Sequence, residues 1–178
     1  MTRHPFGKMM CHENLGRLAP MTTTPWLTDE QDRAWRAYLR MQARLTAELN
    51  RQLQTGSGLS LADYEVLVNL TDTPDGRMRP YALQQALEWE QSRLSHHLSR
   101  MQHRGLVRRE ECAQDGRGAY VVLTDAGRDA IATAAPGHVA AVQRLFFEHL
   151  TSDQVSTIEN VSTQFLDRLD TTTQTRPR

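Results

Sequence analysis

The sequence predicts a mainly α-helical fold with a small β-hairpin wing, in which a helix-turn-helix core is flanked by long helices. Three observations predict it. Capping signals mark helix starts at three separated places, and apolar residues recur at spacings of three and four near both ends of the chain. Two strand-like runs flank a glycine-containing tip directly after a helix-turn-helix pattern.

Residues 1–25 mix Pro5, Gly7, Gly16, Pro20 and Pro25 with Thr22 to Thr24 and carry no sustained period, as expected of a flexible leader; Met1 and Met21 are both candidate starts. Thr28 followed by Gln31 opens a first helix, along which Trp35, Tyr38, Met41, Leu45, Leu49 and Leu53 form one apolar stripe. Ser60 with Asp63 opens a second, short helix bearing Tyr64, Leu67, Val68 and Leu70, which stops before the turn Thr73-Pro74-Asp75-Gly76. Pro80 to Leu87 reads as helix, Glu88 to Glu90 as a break, and Gln91 to Arg104 as a helix ended by Gly105. Leu106 to Glu111 and Ala119 to Thr124 then read as the two strands of a wing around the polar tip Gln114 to Gly118. Thr124 caps an alanine-rich helix expected to reach about Leu150 with a kink at Pro136-Gly137. Thr151 with Gln154 opens a last helix striped with Val155, Ile158, Val161, Phe165 and Leu169. The expected organisation is a leader over 1–25, one domain over 26–170 with its core at 60–124 and long helices at 28–54 and 124–170, and a disordered tail over 171–178.

Among the 178 residues, 21 Lys and Arg balance 21 Asp and Glu, and 39% of the chain is hydrophobic. Such a chain has enough apolar material for a core and lacks the high net charge of a disordered one. With no apolar run near the roughly 18 residues of a membrane span and no secretory h-region, a cytoplasmic location without a membrane partner is expected. Cys11 and Cys112 are too few for a disulfide framework and have no ligand-spaced companions for zinc. There is no phosphate-binding glycine loop, nucleophile elbow or HExxH, and Glu110 and Glu111 point to opposite faces of a strand. An enzyme is therefore not expected, nor a cofactor or metal; His96 and His97, about 100° apart on a helix, make a poor chelating pair.

Net neutrality conceals a local excess. From Gln91 to Arg109 there are five arginines and no acid, whereas Asp153, Glu159, Asp167 and Asp170 face a single Arg168 between Thr151 and Asp170. Leu94, Leu98 and Met101 define the buried face of the Gln91–Arg104 helix, leaving Ser92, Arg93, His96, Arg100 and His103 opposite, with His97 and Arg104 at the flanks. A basic, hydroxyl-dotted face on the second helix of a helix-turn-helix suits the major groove of double-stranded DNA, where Arg reads guanine and Ser bonds bases or phosphates. The candidate DNA-binding residues are Gln91, Ser92, Arg93, Ser95, His96, His97 and Arg100, joined by Arg117 at the wing tip, placed to enter a narrow minor groove.

Leu87-Glu88-Trp89, Ser92 to Leu98, Arg104 to Arg109, Asp115-Gly116-Arg117-Gly118, Val121 to Thr124 and Gly127 together resemble the MarR family of bacterial transcription regulators, over roughly Leu27 to Leu169. The resemblance implies a homodimer whose terminal helices interleave and hold two winged-helix lobes over a palindromic operator. It further implies release by a small phenolic or other aromatic ligand, and a wing-shaping Asp115 that holds a nearby arginine. The terminal apolar stripes exceed what a core of about 65 residues can cover, which independently calls for a second chain; two-fold symmetry then spaces the recognition helices about 34 Å apart. Trp35, Tyr38, Tyr64 and Trp89 are the candidate ligand-pocket residues. The alternatives are a redox-sensing regulator of the same type that uses a cysteine, and a winged-helix module that binds an acidic protein instead of DNA.

Overall fold

A computed structural model describes residues 26–111 and 119–174. The chain divides into two units, residues 1–40 and residues 41–178. One helix, α1 (Asp29–Ser57), runs through the boundary. In the first unit, Thr28 and Gln31 form the expected reciprocal cap and Asp32 pairs with Arg36 one turn on.

The second unit contains α2 (Leu61–Thr71), β1 (Arg77–Met78), α3 (Pro80–Leu87), α4 (Gln91–His103), β2 (Val107–Glu111), β3 (Ala119–Leu123), α5 (Asp125–Val142), a π-helical turn (Gln143–Phe147) and α6 (Ser152–Gln174). The strands form one antiparallel sheet in the order β1-β3-β2, with Arg77 opposite Val122 and Val107 opposite Leu123. A single core lies between the sheet and the helices. Val66, Leu67 and Leu70 from α2, Leu83 from α3, Leu94, Leu98 and Met101 from α4, and Val121 and Leu123 from β3 are all buried in it. Burying these side chains removes apolar surface from water and ties the helix-turn-helix to the wing.

Local chemistry sets the joints. Ser60 and Asp63 close a complete capping box on α2, and the Leu61 N–H donates to Asn50 Oδ1 of α1. Between α3 and α4 the turn is made by Glu88, the only described non-glycine residue with positive φ, at 52°. Its left-handed conformation lets Glu88 and Trp89 N–H groups bond back to Gln85 and Gln84, closing the end of α3. Gly105, at φ 75°, ends α4 as expected. Thr124 then acts twice: its oxygen accepts from the Gly127 N–H to cap α5, and its hydroxyl faces the carbonyls of Gly105 and Leu106. Gly127 sits where a Cβ would be 2.1 Å from the Leu106 carbonyl oxygen, so the start of α5 packs directly on the backbone leading into the wing.

Three features depart from expectation. The strand β1 was not anticipated; two residues are too few for a periodic signal, and its pairing with β3 gives the wing a third strand. Helix α5, expected to reach about Leu150, is α-helical through Pro136 as far as Val142 and gives way to the π-helical turn at Gln143. Finally, α6 continues to Gln174, so the first four residues of the expected tail are helical. Along α6 the apolar stripe Ile158, Val161, Phe165 and Leu169 is exposed, Phe165 to 60%.

Candidate nucleic-acid interface

Helix α4 is seated by Leu94, Leu98 and Met101, none more than 3% exposed, which turns Gln91, Ser92, Arg93, Ser95, His96, Ser99, Arg100 and His103 outward. No acidic side chain lies on this helix. Two of the outward arginines are held from below by rings. The Arg93 guanidinium stacks 4.1 Å from the centre of the Trp89 ring, and Arg100 Nη2 lies 3.0 Å from His97 Nδ1. Trp89 and His97 themselves meet edge to face, with centroids 5.3 Å apart. Toward the end of the helix, Ser99, Arg100, His103 and Arg104 line a shallow hollow of about 420 Å³. A hollow walled by three basic side chains and a hydroxyl matches a phosphate in charge and donor type.

Below this face sits Asp63, whose side chain is only 4% exposed. Its Oδ2 accepts from Arg104 Nη1 at 2.7 Å and from the Ser60 N–H at 2.9 Å, while Oδ1 is 3.1 Å from His97 Nε2. The His97 contact is close but bent away from a straight hydrogen bond. Burial alone would raise the Asp63 pKa; the bonds from His97, Arg104 and Ser60 outweigh it and hold the carboxyl far below the usual carboxylate range. Arg104 also donates to the Gly58 carbonyl at 2.9 Å, so one carboxylate and one arginine clamp α4 onto the start of α2.

Residues 57–118 match the MarR family model. The chain is 39% identical to AbsC, a MarR family transcriptional regulator from Streptomyces coelicolor, with a TM-score of 0.78 over 83% of this chain and 99% of that one. Sco3205, a MarR family transcriptional regulator from the same organism solved in complex with DNA, is 37% identical, with a TM-score of 0.77 over 81% of this chain and 91% of that one. The transcriptional regulator HosA of Escherichia coli is 31% identical over 109 residues, 56% of this chain and 79% of HosA.

The chain belongs to the MarR family of transcriptional regulators.

In this MarR-family protein the structure gathers Gln91, Ser92, Arg93, Ser95, His96 and Arg100 on one exposed surface. His97, expected at the flank of the DNA-facing surface, is 6% exposed and lies between Asp63, Trp89 and Arg100. Asp115, Arg117 and the thiols Cys11 and Cys112 lie outside the described residues. Ser99, His103 and Arg104, which line the hollow beside Arg100, stand outside the candidate DNA-binding residues, although the sequence already placed His103 on the outward face and Arg104 at its flank.

The four aromatic residues expected at a ligand pocket separate into two pairs. Trp35 and Tyr38 stack on each other in the first unit, with centroids 5.7 Å apart, and both are exposed. Tyr64 and Trp89 line a cavity of about 580 Å³ together with Glu65, Asn69, Arg93 and His138. Burial raises the pKa of Glu65, against the opposing pull of Arg93 and His97; burial also raises Tyr64 and lowers His138. His138 Nδ1 is buried without a hydrogen-bond partner among the described residues, and its ring lies 4.4 Å from that of Tyr64. Among the described residues no group of three His, Cys, Asp or Glu side chains is arranged to hold a metal, and no helix is long and apolar enough to cross a membrane.

Proposed function

We propose that this protein is a homodimeric cytoplasmic repressor that occupies a palindromic operator and leaves it when a small aromatic ligand binds. The observation that carries the reading is the outward face of α4, with arginines and hydroxyls, no acid, and an apolar back anchored in the core. Gln91, Ser92, Arg93, Ser95, His96 and Arg100 contact bases and phosphates in the major groove, and Arg117 reaches the adjoining minor groove. The exposed stripe on α6 supports a dimer, since a 23-residue helix with Phe165 and Leu166 more than half exposed lacks cover in a single chain. The cavity of Tyr64, Trp89, Glu65 and His138 supports a ligand with an aromatic body and polar substituents.

Selection of duplexes from a random-sequence pool tests the reading. The protein is expected to enrich an inverted repeat with half-sites about one helical turn apart, and Arg93→Ala and Arg117→Ala each to weaken binding to it roughly tenfold. Failure to enrich any sequence, or undiminished binding by both variants, would overturn it.

A further inference from the structure

The pair Asp63 and His97 is buried, yet it sits directly under an arginine that faces outward. We infer that His97 is a positioning residue for DNA recognition, presenting an unprotonated Nδ1 that holds the Arg100 guanidinium, while Asp63 fixes the ring in that orientation. The inference rests on the reading of the outward α4 face as the DNA-binding surface.

Arginine has five N–H donors and no acceptor, so the 3.0 Å approach of Arg100 Nη2 to His97 Nδ1 requires Nδ1 to accept. The ring proton therefore belongs on Nε2, which is the nitrogen facing Asp63 Oδ1 at 3.1 Å. Asp63 is in turn immobilised by Ser60 and Arg104, and the Trp89 ring closes the remaining edge of the imidazole. A long arginine side chain loses substantial rotamer freedom when it binds a base or phosphate; an acceptor already in place lowers that loss, because part of the ordering precedes binding. Arg93 on its Trp89 ring has a comparable arrangement about two helix turns earlier, so the Trp89–His97 pair forms a common floor for two DNA-facing arginines.

The test uses the duplex that the full-length protein selects. His97→Phe is expected to weaken binding roughly tenfold, about as much as Arg100→Ala, and the double variant to bind no more weakly than Arg100→Ala alone. His97→Gln, whose amide oxygen supplies an acceptor, is expected to stay within about threefold of the parent protein. A merely structural role would make His97→Phe equally costly in both backgrounds, and that result overturns the inference. Nitrogen-15 NMR of the unmodified protein without DNA decides the same point when His97→Phe fails to fold: a bare Nδ1 and a protonated Nε2 are expected. A protonated Nδ1 overturns the inference even if DNA binding itself is established. Absence of any selected duplex would instead count against the DNA-binding face, with the NMR result still deciding the His97 contact.

Discussion

Glu88 shows how a single residue sets an angle between helices. At φ 52° it occupies the region that side chains with a Cβ avoid, and it does so where α3 must stop and α4 must start three residues later. Glu88→Gly is expected to stabilise the fold by about 0.5–1 kcal/mol, read by urea denaturation, because relief of the left-handed strain exceeds the added chain entropy. Gly127 is the opposite case. A Cβ there would meet the Leu106 carbonyl oxygen at 2.1 Å and Leu123 Cδ1 at 2.8 Å, so Gly127→Ala is expected to destabilise by about 3 kcal/mol in the same assay. Asp63 ties its charge to stability. Its depressed native pKa means that its contribution is present above the ordinary carboxylate range and is lost as the pH falls below it. Asp63→Ala should cost about 3 kcal/mol at neutral pH and flatten the acid side of the stability profile. His138 adds to the acid loss of the parent protein, since burial lowers its pKa and the unfolded chain takes up a proton first as the pH drops through about 6.5. A parent profile without acid loss would contradict both assignments. The capping role of Asp63 was legible from Ser60-x-x-Asp63, but its second role was not: Arg104 lies 41 positions away, and only the packing of α4 on α2 brings them together.

For whole elements, legibility followed length and period. The reciprocal caps at Thr28, Ser60 and Thr151 all form, because their two partners are three residues apart and the bonds are local. The buried face of α4 was equally readable from Leu94, Leu98 and Met101. The burial of His97 was not legible because helical geometry places it at the edge of the polar face, and the edge is decided by what packs there, here Trp89 and Asp63. Strand β1 was missed because its existence depends on the register of β3, which no local pattern encodes. Pro136 lies inside α5 and removes one backbone donor there, and the helix continues to Val142 before a π-helical turn begins at Gln143. Of the candidate pocket, Tyr64 and Trp89 are brought to one cavity by α2 and the turn before α4, a convergence of elements that spacing alone does not reveal.

At the scale of the molecule, the apolar stripes are the feature a single chain leaves unexplained. Ile158, Val161, Phe165 and Leu166 are 38–60% exposed on α6, while Val139, Leu145 and Phe147 are exposed around the end of α5. Exposed apolar surface on this scale favours association, so sedimentation should give a dimer at micromolar concentration. Phe165→Glu, which places a charge in the stripe, is expected to shift the protein toward monomer and to weaken operator binding through lost avidity. A monomeric parent protein would contradict the proposed architecture. The proposed dimer would also account for how a chain with no net charge binds a polyanion: the 21 basic and 21 acidic residues cancel in sum, yet α4 carries its arginines without an acid, and two copies would double the number of phosphate contacts.

The most direct test of the outward face of α4 as the DNA-binding surface is the salt dependence of operator affinity. Log K should fall linearly with log salt, and Arg100→Ala should reduce the slope by roughly 0.9 per subunit if its guanidinium neutralises one phosphate, about 1.8 for a dimer. A slope unchanged by the loss of Arg100 and of Arg93, with affinity intact, would contradict the account.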